Sequence, residues 1–153
     1  MTAQRIQLGP ISLLAAPGWA FFPSDKQIIG RCESRIGGLR ISLSLLQSVP
    51  APRRHEESLA LAKALAPEPD APDACTQVHG WADKRLVGAT SFASGRDWVR
   101  LYYVHEHSNL LPLLYSCKLK RRKEEDAARE LAACDMMVAS IQFADEAVQQ
   151  ATR

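Results

Sequence analysis

Two long strand-like segments with a short polar interval between them constrain this chain more than any other feature. The segments are residues 97–105 and 110–119, and the interval is residues 106–109. Both segments are rich in aromatic and aliphatic residues, and such runs joined by a short polar connection are typical of a β-hairpin. We therefore predict a hairpin at the centre of an antiparallel sheet, with residues 86–93 as a third strand of the same meander.

The phase of the first hairpin strand separates two different faces. Successive side chains of a strand point to opposite sides of the sheet, so residues two apart share a face. One face of this strand is apolar, and the other is aromatic and charged. The apolar set is Val99, Leu101 and Tyr103, and the second set is Trp98, Arg100 and Tyr102.

Further strands are predicted on the N-terminal side of the meander. Residues 6–14 read as a strand pair or a bent strand interrupted at Gly9 and Pro10, residues 28–34 as a short strand, and residues 39–45 as a strand with clean alternation. The aromatic residues Trp19, Phe21 and Phe22 follow a Pro-Gly turn. Two interpretations stay open for them, a plug at the end of the sheet or an anchor for a partner.

Two helices are predicted, one on each side of the meander in sequence. Residues 55–66 show apolar residues at helical spacing and end before a proline-rich loop. The second helix begins near Glu124, and acidic residues in its first turn favour a helix N-terminus. Its apolar stripe consists of Ala127, Leu131, Cys134, Val138 and Ile141. We expect this stripe to cover the apolar face of the sheet, with Leu131 and Val138 near Leu101 and Leu113.

These elements predict one α+β domain over residues 1–153. Its antiparallel sheet has about five to seven strands, a meander plus an N-terminal hairpin, packed with two helices in an α/β/α sandwich-like arrangement. Residues 140–143 alternate again and are either the end of the last helix or a terminal edge strand. Residues 144–153 are predicted to be a frayed tail.

The charge and the N-terminal sequence limit the expected partners. The formal net charge is +2, which is too small to indicate nucleic acid or a membrane surface. The basic run at residues 118–123 is followed at once by three acidic residues, so a solvated junction is favoured over a phosphate-binding patch. The first residues lack the charged and apolar regions of a signal peptide, and no apolar run has the length of a membrane span. We expect a cytoplasmic protein.

Motifs for metal, cofactor or catalytic chemistry are not indicated. The four cysteines are widely spaced without a Cys-x-x-Cys pair, which favours structural thiols over zinc ligands or disulfides. His105 and His107 share a strand face, but nothing in the spacing joins them to His55 or His79, and we expect a solvent-exposed hairpin end there. No phosphate-binding loop or nucleophile elbow is present. We therefore predict no cofactor, no metal and no catalytic residue.

The predicted partner-binding site lies on the first hairpin strand and at both of its ends. Trp98, Arg100 and Tyr102 are of the types enriched at binding hot spots, and a helix covering them is the alternative. The full set of predicted partner-binding residues is Arg96, Asp97, Trp98, Arg100, Tyr102, His105, Glu106 and His107.

The order of elements resembles the PsbP/DcrB-like α/β/α sandwich superfamily over about residues 6–143. The resemblance rests on Pro17-Gly18-Trp19, on the segments GRDWVRLYY (95–103) and LLYSC (113–117), and on SIQF (140–143) after the closing helix. Members of that superfamily are mostly non-enzymatic. They include photosystem accessory proteins, small-GTPase release factors, and bacterial immunity proteins or effector chaperones of type VI secretion loci. The resemblance implies a binding function without shared catalytic residues.

Three functional hypotheses follow from these observations. The first is a bacterial immunity protein that neutralises a secreted toxin by occluding its surface. The second is a type VI secretion effector chaperone, which predicts a homodimer with a continuous apolar groove. The third is a ligand carrier or enzyme with a pocket between sheet and helix that brings together polar groups such as His79, Asp83 or His105.

Overall fold

A computed structural model of the protein describes residues 3–43, 75–82, 85–106 and 109–143. Ten strands, one short 3₁₀ helix and one α-helix occur in these ranges. The strands are β1 (Gln4–Leu8), β2 (Ile11–Ala15), β3 (Trp19–Ser24), β4 (Gln27–Cys32), β5 (Gly37–Ser42), β6 (Cys75–Ala82), β7 (Arg85–Ser94), β8 (Asp97–Glu106), β9 (Asn109–Lys118) and β10 (Gln142–Phe143). The 3₁₀ helix is Leu119–Arg121, and helix α1 is Glu125–Ala139.

The strands form two antiparallel sheets. The main sheet has seven strands in the order β3-β4-β5-β9-β8-β7-β6, and the small sheet has the order β1-β2-β10. The predicted hairpin is the centre of the main sheet: β8 pairs with β9 from Asp97↔Lys118 to Glu106↔Asn109, and β7 pairs with β8 along its whole length. The α+β class, the antiparallel sheet and the meander are therefore confirmed.

The N-terminal hairpin does not join the main sheet as predicted. Gly9, at φ 61°, makes the turn between β1 and β2, and the end of the chain's closing helix then leads into β10, which pairs with β2. Residues 140–143 thus provide an edge strand, the second of the two alternatives. Because β2 is occupied on both sides by β1 and β10, it forms a separate layer beside the main sheet.

Helix α1 packs on the face of the main sheet that contains Trp98, Tyr102 and Val104, which we call the helix face. The buried core joins these residues to Leu113 of β9 and to Val138 of α1. Further helix-face residues of this core are Val87, Ala89, Leu39, Ile41, Leu111, Tyr115 and Cys117. The predicted phase is therefore corrected: Leu113 does share a core with Val138, but Leu101 lies on the opposite face with Phe92 and Val99.

The opposite face of the main sheet is buried along its centre. Phe92, Val99, Tyr103 and His105 are all at most 7% exposed. Both faces of the central strands are thus covered. This explains why neither face of β8 has the mainly polar composition of a solvent-exposed face.

The remaining predictions concern helices and termini. Helix α1 agrees with the predicted second helix. Its buried side contains the predicted stripe, except that Leu131 is only partly buried, and is extended by Glu130 and Met137. The predicted helix at residues 55–66 and the predicted tail at 144–153 lie outside the described residues. None of the helices in the described ranges has the length and apolar character needed to cross a membrane.

Candidate binding surface at the open end of the main sheet

The polar groups beneath α1 form a seam between helix and sheet, and its centre is the buried carboxylate of Glu130. This side chain is 1% exposed. It accepts hydrogen bonds from the backbone N–H groups of Ile36 and Gly37, both at 2.9 Å, from the Tyr115 hydroxyl at 3.0 Å and from the Ser34 hydroxyl. A buried carboxylate with four donors is fully satisfied, so its role is to join α1 to the β4–β5 turn and to β9.

A second group of the seam is centred on Asp135, one turn further along α1. The Tyr102 hydroxyl donates to Asp135 at 2.5 Å, and the Arg100 guanidinium pairs with the same carboxylate at 3.1 Å. Arg100 also donates from Nε to the Ser91 hydroxyl at 2.9 Å. All these polar groups are committed to partners within the chain, which favours a structural role for the seam.

The tyrosines and cysteines of the core are held in their neutral forms. Burial raises the pKa of Tyr102, and the neighbouring Cys134 and Asp135 raise it further. Burial and the adjacent Glu130 likewise raise the pKa of Tyr115. Burial raises the pKa of the Cys117 and Cys134 thiols as well, and these two side chains are 5% and 0% exposed. Such thiols behave as small apolar core residues.

The structure does not leave the predicted partner-binding face open. Trp98 is 2% exposed and Tyr102 is 0% exposed. Tyr102 lies under α1 and bonds to its Asp135, and the Arg122 guanidinium, three residues before α1, lies 4.9 Å from the centre of the Trp98 ring. Of the two alternatives, coverage by a helix is the one observed, and the covering helix is the C-terminal one. The Arg100 guanidinium pairs with Asp135 and lies 5.8 Å from the centre of the Trp98 ring, so both contacts are within the chain.

The other predicted site residues fall in different places. His105 is 0% exposed, which corrects the expectation of a solvent-exposed hairpin end at this position. Arg96 is exposed at the β7–β8 turn, Asp97 pairs with Lys118 at 3.5 Å, and Glu106 ends β8 with a half-buried side chain. His107 lies outside the described residues. Within the described ranges, no three metal-ligating side chains come together.

The β3–β5 end of the main sheet contains the aromatic residues for which two interpretations, a plug and a partner anchor, had stayed open. Phe22 of β3 is 54% exposed, the highest value among the large apolar side chains described. The pairings Phe22↔Ile29 and Ile29↔Arg40 place these three residues in one row across the face opposite α1. Phe21, its neighbour, points the other way and lies across Gly30, where a Cβ would meet its ring at 2.6 Å. The interpretation as a plug therefore fits Phe21, while Phe22 projects into solvent.

Strand β3 is an edge of the main sheet, but its backbone offers little to another strand. The two-residue turn at Asp25 and Lys26 makes Ser24↔Gln27 the closing pair, so alternate residues from Ser24 bond to β4 and the others face outward. Pro23, one of the outward residues, has no N–H, and the N–H of Trp19 is bonded to Ala16. This edge is protected against sheet extension, so recognition here depends on side chains.

Two grooves flank β3, one on each face of the sheet. Groove A, of about 630 Å³, has Ile6 and Leu8 of β1 on one side and Trp19 and Phe21 of β3 on the other. Groove B, of about 440 Å³, is lined by Ala20, Phe22, Ile29, Arg31, Glu33 and Arg35. Both grooves reach Gly18, whose φ of 85° makes the turn that starts β3.

Comparison with known proteins shows the fold and nothing finer. No family model and no curated protein matches the sequence. The solution structure of cyanobacterial PsbP (CyanoP) from Synechocystis sp. PCC 6803 is similar at a TM-score of 0.52 and 13% identity, over 93% of this chain and 92% of that one. A crystal structure from Bacteroides thetaiotaomicron VPI-5482 has a TM-score of 0.61 and 10% identity, over 96% of this chain and 50% of that one. The chain has a PsbP-like α+β fold.

Proposed function

We propose that this chain is a non-catalytic protein-binding domain that contacts its partner through the open end of the main sheet. The observation that carries the proposal is Phe22, a phenylalanine 54% exposed on a strand whose backbone position is held by β4. Burying a phenylalanine side chain is worth about 1.5–3 kcal/mol, so a partner that covers Phe22 would gain a large part of its binding free energy there. The proposed binding surface therefore lies on β3 and not on β8, where the sequence had indicated it.

The composition of this end supports a protein partner. Phe22 and Ile29 form a small apolar centre, and arginines surround it. An apolar or aromatic centre with arginine at its edge is the usual composition of a binding hot spot. The fixed backbone reduces the conformational entropy lost on association, which favours affinity for a given contact area.

The test is a matched capture experiment with two variants. Wild type, Phe22→Ser and Leu119→Ser are immobilised and exposed to lysate of the native host, and recovered proteins are identified by mass spectrometry. Leu119 is the control because it is also an exposed large apolar residue, at 38%. We expect a protein recovered by wild type and Leu119→Ser and lost with Phe22→Ser. That protein is then purified, and its affinity is expected to fall at least about tenfold with Phe22→Ser. Equal recovery by all three forms refutes the proposal.

The finer proposal is that the partner is a toxin and that the chain is a bacterial immunity protein. The resemblance to the superfamily described above supports it, since that superfamily includes immunity proteins. The purified partner, produced alone in a cell, is then expected to arrest growth, and co-production of this chain is expected to restore it. Restoration by Leu119→Ser but not by Phe22→Ser supports occlusion of the toxin. A partner without toxicity contradicts immunity and leaves the binding proposal intact.

A second candidate is a chaperone or adaptor for a type VI secretion effector, and groove A favours it. The groove has apolar side chains from both sheets facing one another, which suits an apolar segment of a client. This candidate predicts a homodimer that joins two such grooves. Two results together contradict the chaperone hypothesis: light scattering that finds only monomer at all concentrations tested, and an Ile6→Ser variant that captures the same proteins as wild type.

A further inference from the structure

The arginines of the described residues differ in their partners. Arg5, Arg100, Arg121 and Arg129 each donate to an oxygen of another residue. The other described arginines whose side chains are placed make no ion pair or side-chain hydrogen bond within the described part of the chain. Of these, Arg122 lies over the Trp98 ring and Arg96 lies at the β7–β8 turn, whereas Arg31, Arg35 and Arg40 are exposed together at the β3–β5 end of the main sheet.

These three arginines surround Phe22 and Ile29, and we call the five residues the basic patch. Arg40 lies directly across from Ile29 in the register of β4 and β5. Arg31 extends over Gly38, since a Cβ at Gly38 would lie 3.6 Å from Arg31 Cγ and 3.7 Å from its Nε. Arg35 lines groove B from the turn after β4, where its φ of 53° is unusual for a residue other than glycine.

The Arg31 stem lies against the sheet surface beside Gly38, at distances that an added Cβ would turn into ordinary van der Waals contacts. Arg31 also lines groove B together with Phe22 and Ile29, so its guanidinium is close to the apolar pair. Three planar guanidiniums next to an apolar centre match carboxylates better than any neutral ligand, because each can donate two parallel hydrogen bonds.

We propose that the basic patch binds an acidic segment of the partner protein, with carboxylates on Arg31, Arg35 and Arg40 and an apolar side chain on Phe22 and Ile29. This inference rests on the proposed function and names the chemistry of its partner. It is favoured over single-stranded nucleic acid because stacking of successive bases needs several aromatic platforms, and the patch has one.

The experiment is fluorescence anisotropy with three labelled probes at low ionic strength, about 50 mM salt. The first probe is a peptide of about twelve residues, long enough when extended to cross the patch, that alternates glutamate with leucine. The second has lysine in place of glutamate, and the third is oligothymidine. We expect saturable binding of the glutamate peptide and no binding of the lysine peptide. The affinity for the glutamate peptide is expected to fall as the salt concentration is raised. Oligothymidine that binds more tightly than the glutamate peptide overturns the proposal.

Variants locate the binding and separate this inference from the proposed function. Arg31→Glu/Arg40→Glu is expected to weaken binding of the glutamate peptide at least about tenfold. The double charge reversal Arg96→Glu/Lys120→Glu, beside the β7–β8 turn and outside the basic patch, is expected to change this affinity less than about twofold. Equal losses from both refute a localised site. If capture of the native partner is lost with Phe22→Ser but is normal with Arg31→Glu/Arg40→Glu, the acidic-segment inference fails while the binding function stands.

Discussion

At the helix–sheet seam, Arg100 and Glu130 each have side-chain partners within the chain, whereas Arg31 and Arg40 at the open end of the main sheet form no ion pair or side-chain hydrogen bond with the described residues. The aromatic residues differ in the same way: Tyr102 is buried and donates to Asp135, while Phe22 is 54% exposed. Both regions combine an arginine with an aromatic residue on the surface of a strand. Residue type alone therefore does not distinguish a structural side chain from one that we propose to bind a partner. The difference is whether the side chain already has partners within the described chain.

The difference follows from where α1 lies. Helix α1 brings Glu130 and Asp135 to the helix face of the sheet, so the polar groups of β8 and β9 find partners there. No carboxylate of the described residues reaches the three arginines of the basic patch. Charged groups that are satisfied internally contribute to stability, and those left unpaired are available to a partner. The following predictions test this division, beginning with the largest expected effect.

Removing the Glu130 carboxylate is expected to have the largest effect on stability. Glu130→Ala leaves two buried backbone N–H groups and the Tyr115 hydroxyl without an acceptor, which lowers the free energy of unfolding by about 3–5 kcal/mol. Urea denaturation measures the change. Glu125→Ala, on the exposed side of the same helix with its carboxylate 83% exposed, is the control and is expected to leave the midpoint almost unchanged. Similar midpoints for the two variants would show that the seam is not a structural contact.

Alkaline pH is expected to destabilise the helix–sheet seam before it affects the open end of the main sheet. The folded pKa of Tyr102 and Tyr115 is raised above 10.0, the value for an unfolded tyrosine, and burial raises that of Tyr103 to about 12. A raised folded pKa stabilises the native state fully below pH 10, and this stabilisation is lost as the pH rises further, by up to about 1.4 kcal/mol per pH unit for each tyrosine. The free energy of unfolding should fall steeply above pH 10, and less steeply in Tyr102→Phe/Tyr115→Phe. A flat profile up to pH 11 contradicts the burial of these hydroxyls.

Substitution of Asp135 is expected to have an intermediate effect. Asp135→Ala removes the acceptor of the Tyr102 hydroxyl and the partner of Arg100, but the carboxylate is 33% exposed, so water replaces part of the loss. We expect a decrease of about 2 kcal/mol in the free energy of unfolding. A double-mutant cycle with Tyr102→Phe measures their coupling, and additive effects would mean that the short hydrogen bond contributes nothing.

Substitution of Phe22 is expected to have the smallest effect on stability and the largest on binding. Phe22→Ser removes an exposed ring and should change the free energy of unfolding by less than about 0.5 kcal/mol. Phe21→Ser, one residue away, removes a ring that packs over Gly30 and against the core, and should cost about 2 kcal/mol or more. If thermal denaturation shows the reverse order, the orientation of β3 is different from the one described.

The elements of this fold are readable from local patterns. Period-two alternation predicted both ends of β7, β8 and β9 to within one residue, and the spacing of Ala127, Cys134 and Val138 at steps of three and four residues predicted α1. Glu130 also had a readable signal that was overlooked. It lies three residues after Ala127 and four before Cys134, so a carboxylate occupies a position of the apolar stripe and must find partners in the core.

The proposed binding surface was harder to predict because it is marked only by side chains that lack contacts with the rest of the described chain. Nothing in the sequence distinguishes Arg31 and Arg40 from Arg100, since all three alternate with apolar residues on a strand. Phe21 and Phe22 are likewise equivalent until the position of Gly30 and the side of the sheet that carries the core are known. Alternation assigns residues to two faces, but it does not say which face is covered.

By itself the sequence determined that the chain forms an antiparallel meander closed by an amphipathic helix, because hydrophobic periodicity is a local property of the backbone conformation. Only the tertiary structure decided that α1 covers the Trp98 and Tyr102 face, that β10 joins the N-terminal hairpin in a separate sheet, and that Phe22 remains in solvent. The physical reason is that Glu130 and Asp135 lie on α1, more than 30 residues in sequence from the Ile36, Gly37 and Arg100 groups that they bind. Such pairings exist only once the chain has folded, and they choose between faces that local patterns leave equivalent.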